Sequence, residues 1–300
     1  MSVKVGSGDF QYELDEGWPK RIPAYWNLDQ CADVATDSQD RVWVFSRGLH
    51  PVTAWTPDGE FYGSWGNLGY QPGEFRVPHG IFIDKQDNIW LADHQTHTIT
   101  KHALDGTVLM TLGTFGYANI TVTTTNGQGT PFNMPTSAAI APDGKIWASD
   151  GYANRRFHRF SADGKLEGSW GEAGKGPRQF SILHKIGVDP SGRVYICDRE
   201  NGRIQIFDNA GNYITEWNDL SGPGDIVFAN GVAYVVEQGS GSGISIWTLE
   251  GELITRWRGM DPEKVLGAAH GMWVDSKGAI YVAEIGMPGR GQRVRKFNKI

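Results

Sequence analysis

Two cysteines in 300 residues are few, and Cys31 and Cys197 stand far apart with no metal-type spacing. No disulfide framework and no cysteine metal cluster is encoded, and a reducing compartment is expected. Long apolar runs are also missing: no stretch approaches the roughly 20 residues of a spanning helix. The N-terminal MSVKVGSGDFQYELDEGW has neither an apolar core nor a cleavage signal. A cytoplasmic protein with no membrane partner is therefore predicted. Positive charge is not in excess. Against 34 Asp and Glu there are 28 Lys and Arg, a net charge of −6, with no run of like charges. That balance argues against nucleic acid as a partner. Nor can a Gly-rich phosphate loop, a Ser-His-Asp order or a pair of glycosidase carboxylates be picked out.

What the chain has in quantity is 40 Gly, 12 Trp and 10 Tyr, the composition of many short strands joined by tight turns. One pattern occurs six times: DVATDSQDRVWVFSRG from Asp33, HGIFIDKQDNIWLADH from His79, SAAIAPDGKIWASDGY from Ser137, HKIGVDPSGRVYICDR from His184, GDIVFANGVAYVVEQG from Gly224 and HGMWVDSKGAIYVAEI from His270. Most copies continue with a third strand, a turn such as ADG or NAG, and a fourth strand. Four-stranded units of roughly 40–50 residues are propeller blades. An all-β, six-bladed β-propeller spanning 1–300 as one domain is predicted, with blades starting near 33, 79, 137, 184, 224 and 270. The last copy has three evident strands, and the N-terminal stretch near 9–17 is expected to supply its missing outer strand and close the ring. A pair of β-sandwiches would not explain the repeat. The Thr/Asn/Gly-rich interruption over 117–133 is expected to be a surface loop. Trp-rich strand ends such as GSWG, TEWN and TRW read as inter-blade packing.

Three of the eight histidines, His79, His184 and His270, share one repeat position, the first of the inner strand in blades two, four and six. Ala32, Thr136 and a Gly or Pro near 223–224 hold that position in the other blades. Alternate blades of six lie about 120° apart, so three imidazoles converge on one point. Convergent neutral imidazoles suit Zn2+ or a similar divalent ion, and three protein ligands leave a position open for substrate. A lone histidine would more simply satisfy a backbone group at the channel rim. Three at one position on alternate blades favour the metal.

Arg47 and Arg199 hold equal positions after the second strand in blades one and four, and Tyr152 sits one place further along in blade three. Antiparallel strands put all of these at the same mouth as the histidines. Facing arginines suit a substrate carboxylate and would depress the pKa of a neighbouring tyrosine, a general base. The unremarkable alternative for each arginine is an ion pair with a neighbouring acid, such as Asp198 or Asp150. His94 and His97 are expected to point apart at the surface, and His50, His102 and His158 to occupy turn or outer-strand positions without function.

The segments PHGIFIDKQDNIWLAD, SDGYANRR, GSWG, LHKIGVD and DRENGRIQIF resemble the peptidyl-α-hydroxyglycine α-amidating lyase (peptidylamidoglycolate lyase) family of NHL-type six-bladed propellers, along all six blades. The resemblance implies zinc held by His79, His184 and His270, a catalytic Tyr152, and active-site arginines Arg47 and Arg199. It implies cleavage of the C–N bond of an α-hydroxyglycine to an amide and glyoxylate, and a small or peptide-like substrate with a carboxylate. Ala153 stands where the family has a disulfide cysteine. The family also holds an axial Ca2+ by carbonyls at positions matching Val34 and Ile81 and by a carboxylate directly after the last histidine. That residue is Gly271 here, so Ca2+ lacks a ligand. The substrate is expected to be made by another protein, and a small N-acyl or N-carbamoyl hydroxyglycine is the expected class.

Two other functions compete. A non-catalytic NHL scaffold would bind a partner on one face and tolerate changes at all three histidines. A metal-dependent hydrolase or lactonase on the same architecture ranks below the lyase, because such propellers hold metal by carboxylates and amides, which the channel is expected to lack.

Overall fold

The computed structural model describes residues 2–20, 23, 26–118, 132–259, 265–286 and 292–300. It is all-β, a six-bladed β-propeller of four-stranded antiparallel blades. Among the described residues helix is limited to one 3-10 turn at Arg199–Asn201, and no helix is long and apolar enough to cross a membrane. Two compact units make up the chain, Met1–Glu74 with Val227–Ile300, and Phe75–Ile226.

In the second unit the inner strands of blades two, three and four are Pro78–Ile83, Pro135–Ile140 and Leu183–Val188. Each starts one or two residues ahead of the repeat read from the sequence. The second strands Ile89–Asp93, Ile146–Asp150 and Val194–Asp198 are buried throughout. Rows of β-branched and aromatic residues covered on both faces explain that burial. One core joins blades two and three through Trp90, Ile99, Phe132 and Phe160. Another joins three and four through Trp147, Phe157, Ile196 and Phe207. Trp147 and Trp170 lie 5.4 Å apart between rings, so these tryptophans are packing residues.

In the first unit, blade one begins at Cys31–Thr36 and blade six at Ala269–Val274. Phe10–Asp15 pairs with Gln292–Lys299 at Tyr12↔Lys299 and Leu14↔Phe297, supplying the outer strand of blade six. A further strand, Lys4–Ser7, folds back on Phe10–Asp15, so this sheet has five strands where four were expected. The predicted loop over 117–133 lies outside the described residues from 119 to 131.

The aspartate five residues beyond each repeated histidine is a turn device. Asp84 accepts the Trp90 indole N–H at 3.0 Å as well as backbone N–H groups of Gln86 and Asn88. Asp189 and Asp275 accept the hydroxyls of Tyr195 and Tyr281 in the same way, each at 3.2 Å. The carboxylate thus ties the inner-strand turn to the second strand.

Candidate active site

Each histidine of the repeated position sits in a β-bulge. Pairing of inner with second strand runs Pro78↔Asp93 then Gly80↔Ala92, leaving His79 as the extra residue. The register slips in the same way across His184 and His270, and across Thr136 and Ala32. A bulge takes one residue out of the ladder and re-aims its side chain. At four of these positions, all but Ala32, the backbone is pinned just upstream: the N–H three residues before donates to an acid at or next to the end of the second strand. Arg76 donates to Asp93 at 2.6 Å, Asn133 to Asp150 at 2.9 Å and Ser181 to Asp198 at 2.9 Å, and Gly267 donates to Glu284.

All three imidazoles are buried and held by one repeated bond. His79 Nδ1 lies 2.8 Å from the carbonyl of Thr136, and His184 Nδ1 lies 2.6 Å from that of Gly224. In the other unit His270 Nδ1 lies 2.6 Å from the carbonyl of Ala32. A carbonyl only accepts, so each Nδ1 carries a proton, and in the neutral ring each Nε2 presents a lone pair. The alternation along the sequence thereby acquires a physical reason. Ala32, Thr136 and Gly224 are the small residues whose carbonyls orient the histidine of the preceding blade, and two of them are bulge residues with a carbonyl outside the ladder.

Within the second unit the sequence-predicted residues His79, His184, Tyr152 and Arg199 come together. The rings of His79 and His184 are 4.8 Å apart. Tyr152 Oη lies 3.2 Å from His79 Nε2, and since that nitrogen accepts, the hydroxyl donates. Arg199 Nη1 donates to the same oxygen at 3.4 Å, with its guanidinium 5.7 Å from the Tyr152 ring centre. A directed chain of donors therefore runs from Arg199 through Tyr152 and His79 to the Thr136 carbonyl. Tyr152 is set in place by its loop. The Arg155 guanidinium donates to the carbonyls of Gly151, Tyr152 and Asn154. A side chain at Gly151 would lie 1.9 Å from the Leu183 carbonyl oxygen, so glycine is required where this loop meets the residue before His184. Arg199 pairs at 2.9 Å with Glu200, while Asp198 is taken by Arg203 at 3.0 Å. In the first unit Arg47 donates to the Gln30 side chain. Arg199 thus makes the ion pair with a neighbouring acid that the unremarkable alternative predicts, with Glu200 as the acid.

Three expectations need correction. His94 and His97 are half-buried, not surface residues. The His94 ring is 5.2 Å from that of Tyr152 and 5.8 Å from that of His79, while His97 Nδ1 accepts the Met134 N–H at 3.1 Å. His102 and His158 lie in third strands and are buried. Burial holds the His97 and His102 imidazoles below their ordinary pKa. The inner strands also carry buried carboxylates, Asp33 and Asp225, one residue past the histidine position. Asp225 pairs with Lys185 at 3.3 Å. A Cβ on Gly271 would fall 2.1 Å from Asp33 Oδ1. The place beside the last histidine is thus filled by a carboxylate from the neighbouring inner strand. No pattern in the sequence relates Asp33 to Gly271; only strand adjacency does.

Four-stranded blades built on a repeated inner-strand bulge define a β-propeller. The NHL repeat model matches residues 180–207. NHL repeat-containing protein 3 of Homo sapiens is 31% identical over 92% of this chain and 82% of that protein, so the chain belongs to the NHL-repeat family. Peptidylglycine alpha-amidating monooxygenase of Rattus norvegicus is 28% identical over 93% of this chain but only 31% of its own length. Among solved structures, virginiamycin B lyase from Staphylococcus aureus superposes with a TM-score of 0.60 at 16% identity, covering 91% of this chain and 85% of that one, a likeness of fold.

Proposed function

We propose that this chain is a metal-dependent carbon–nitrogen lyase that converts α-hydroxyglycine-like carbinolamides to an amide and glyoxylate. The observation that carries the reading is the grouping of Arg199 and Tyr152 against His79 Nε2, with the His184 ring 4.8 Å from that of His79; a metal ion bound at Nε2 would take the place of the Tyr152 hydrogen bond there. The donor set fits zinc: three neutral imidazoles, each with Nδ1–H fixed on a backbone carbonyl, the outer-shell arrangement that orients metal-binding histidines. Similarity to the rat amidating enzyme along most of the chain supports the same chemistry.

A bound divalent ion would supply a Lewis acid that makes the substrate hydroxyl more acidic. Tyr152, once its own proton has left and it stands as the phenolate, takes the hydroxyl proton at its Oη, and Arg199 donates to that oxygen to hold the phenolate charge. Arg47 and Arg199 supply positive charge for the substrate carboxylate. Asp33, whose carboxylate fills the place beside Gly271, would be the carboxylate ligand of a Ca2+ ion in place of the residue after His270. Two buried cysteines with free thiols, both pushed up in pKa by burial, suit a reducing, cytoplasmic setting.

The test is product analysis with a panel of N-acyl-α-hydroxyglycines. Equal amounts of glyoxylate and primary amide support the lyase. Opening of lactones without glyoxylate would place the chain with the hydrolases, and neither activity would leave a binding scaffold.

A further inference from the structure

His94 follows the second strand of blade two, Ile89–Asp93, and its loop is held more firmly than a surface connection requires. The N–H groups of Gln95 and Thr96 donate to Asp93 Oδ1 at 2.9 and 3.0 Å. Gly116 donates to the Thr96 carbonyl at 2.8 Å. The Arg76 guanidinium reaches the Gln95 carbonyl at 3.4 Å and lies over the Phe115 ring. Two residues on, His97 adopts a left-handed φ of 58° and accepts the Met134 N–H. A side chain persists in that conformation where its surroundings over-determine it, and such positions gather at functional sites. The frame presents His94, half-buried, to both Tyr152 and His79.

We propose that His94 is a substrate-contacting residue of this site, donating an imidazole N–H to the acyl oxygen of the departing amide. The inference rests on the lyase reading above. An imidazole carries at least one N–H whatever its protonation, so the role does not depend on titration. In the step itself the hydroxyl proton passes to the Tyr152 phenolate, the O–H pair becomes the second bond of the glyoxylate carbonyl, and the C–N pair leaves with nitrogen. Negative charge spreads from that nitrogen onto the acyl oxygen, where a fixed donor lowers the barrier. The proton held at Tyr152 then returns through water to nitrogen, and the neutral amide departs. No oxidant or further reactant is consumed.

The experiment compares wild type with His94→Phe, His94→Ala and His94→Gln on N-benzoyl-α-hydroxyglycine. Loss of the donor in the Phe and Ala variants should lower kcat about 10- to 100-fold with a smaller change in KM. Melting temperature and metal content should stay at the wild-type values. Glutamine, which keeps an N–H donor, should recover most of the rate. Wild-type kcat in His94→Phe and His94→Ala would overturn the proposal, as would a Gln variant as slow as the Phe variant. A wild-type protein that releases no glyoxylate overturns the lyase reading and this proposal together, whereas turnover indifferent to His94 overturns this proposal alone.

Discussion

The hydroxyl of Tyr152 directs its proton at Nε2 of His79 across 3.2 Å, while Arg199 donates to the same oxygen. That oxygen is the point through which a proton is moved. Replacing Tyr152 with Phe keeps the ring and removes the oxygen. Glyoxylate release should fall at least about 100-fold, the span of a lost general base, with metal content unchanged. Steady-state rates and metal analysis on one preparation check both halves.

Gly271 and Asp33 share one space, since a Cβ on the glycine would meet the carboxylate at 2.1 Å. Gly271→Asp should therefore destabilise by about 1–3 kcal/mol through overpacking. The double variant Gly271→Asp with Asp33→Gly should recover much of that loss, a coupling expected of residues in contact. Urea unfolding midpoints of the two single variants and the double variant read the coupling directly.

Acid should weaken the fold through its turn aspartates. Burial alone would raise the carboxyls of Asp84 and Asp189. It is outweighed at Asp84 by bonds from Trp90, Asn88 and Gln86, and at Asp189 by bonds from Ser191 and Arg193, so both stay below the usual range. A carboxyl lowered in the folded state contributes stability that is complete above its unfolded pKa, about 3.9, and is lost as pH falls through the folded value. His102 follows the same sign higher up: held neutral by burial, it contributes above about pH 6.5 and costs stability as the pH drops. Unfolding midpoints should decline below about pH 6.5 and more steeply below about pH 4. Asp84→Asn should be less stable at pH 7 and lose less on going to pH 3.

The blades were legible because the buried second strand recurs in every copy and the turn aspartate in four of them, Asp37, Asp84, Asp189 and Asp275, all local signals. The histidine alternation was legible for the same reason. Its cause was not, because the Thr136, Gly224 and Ala32 carbonyls that orient the rings belong to the following blade, 40 to 238 residues away in sequence. His94 was read as a surface residue because a strand-to-loop position says nothing about a tyrosine 58 residues further on. His158, expected at a turn or outer strand, lies in a buried third strand, and its partners Ser169 and Asp150 meet it only across neighbouring strands. The hairpin at Lys4–Ser7 was missed because Gly6 and Gly8 interrupt the alternation that would mark a strand.

Metal content is the most direct test of the central claim, that the bulge histidines form one site. Inductively coupled plasma mass spectrometry on tag-free protein should find about one transition-metal ion per chain. His184→Ala should lose it while remaining folded. A wild-type chain that stays metal-free after incubation with zinc would contradict the account.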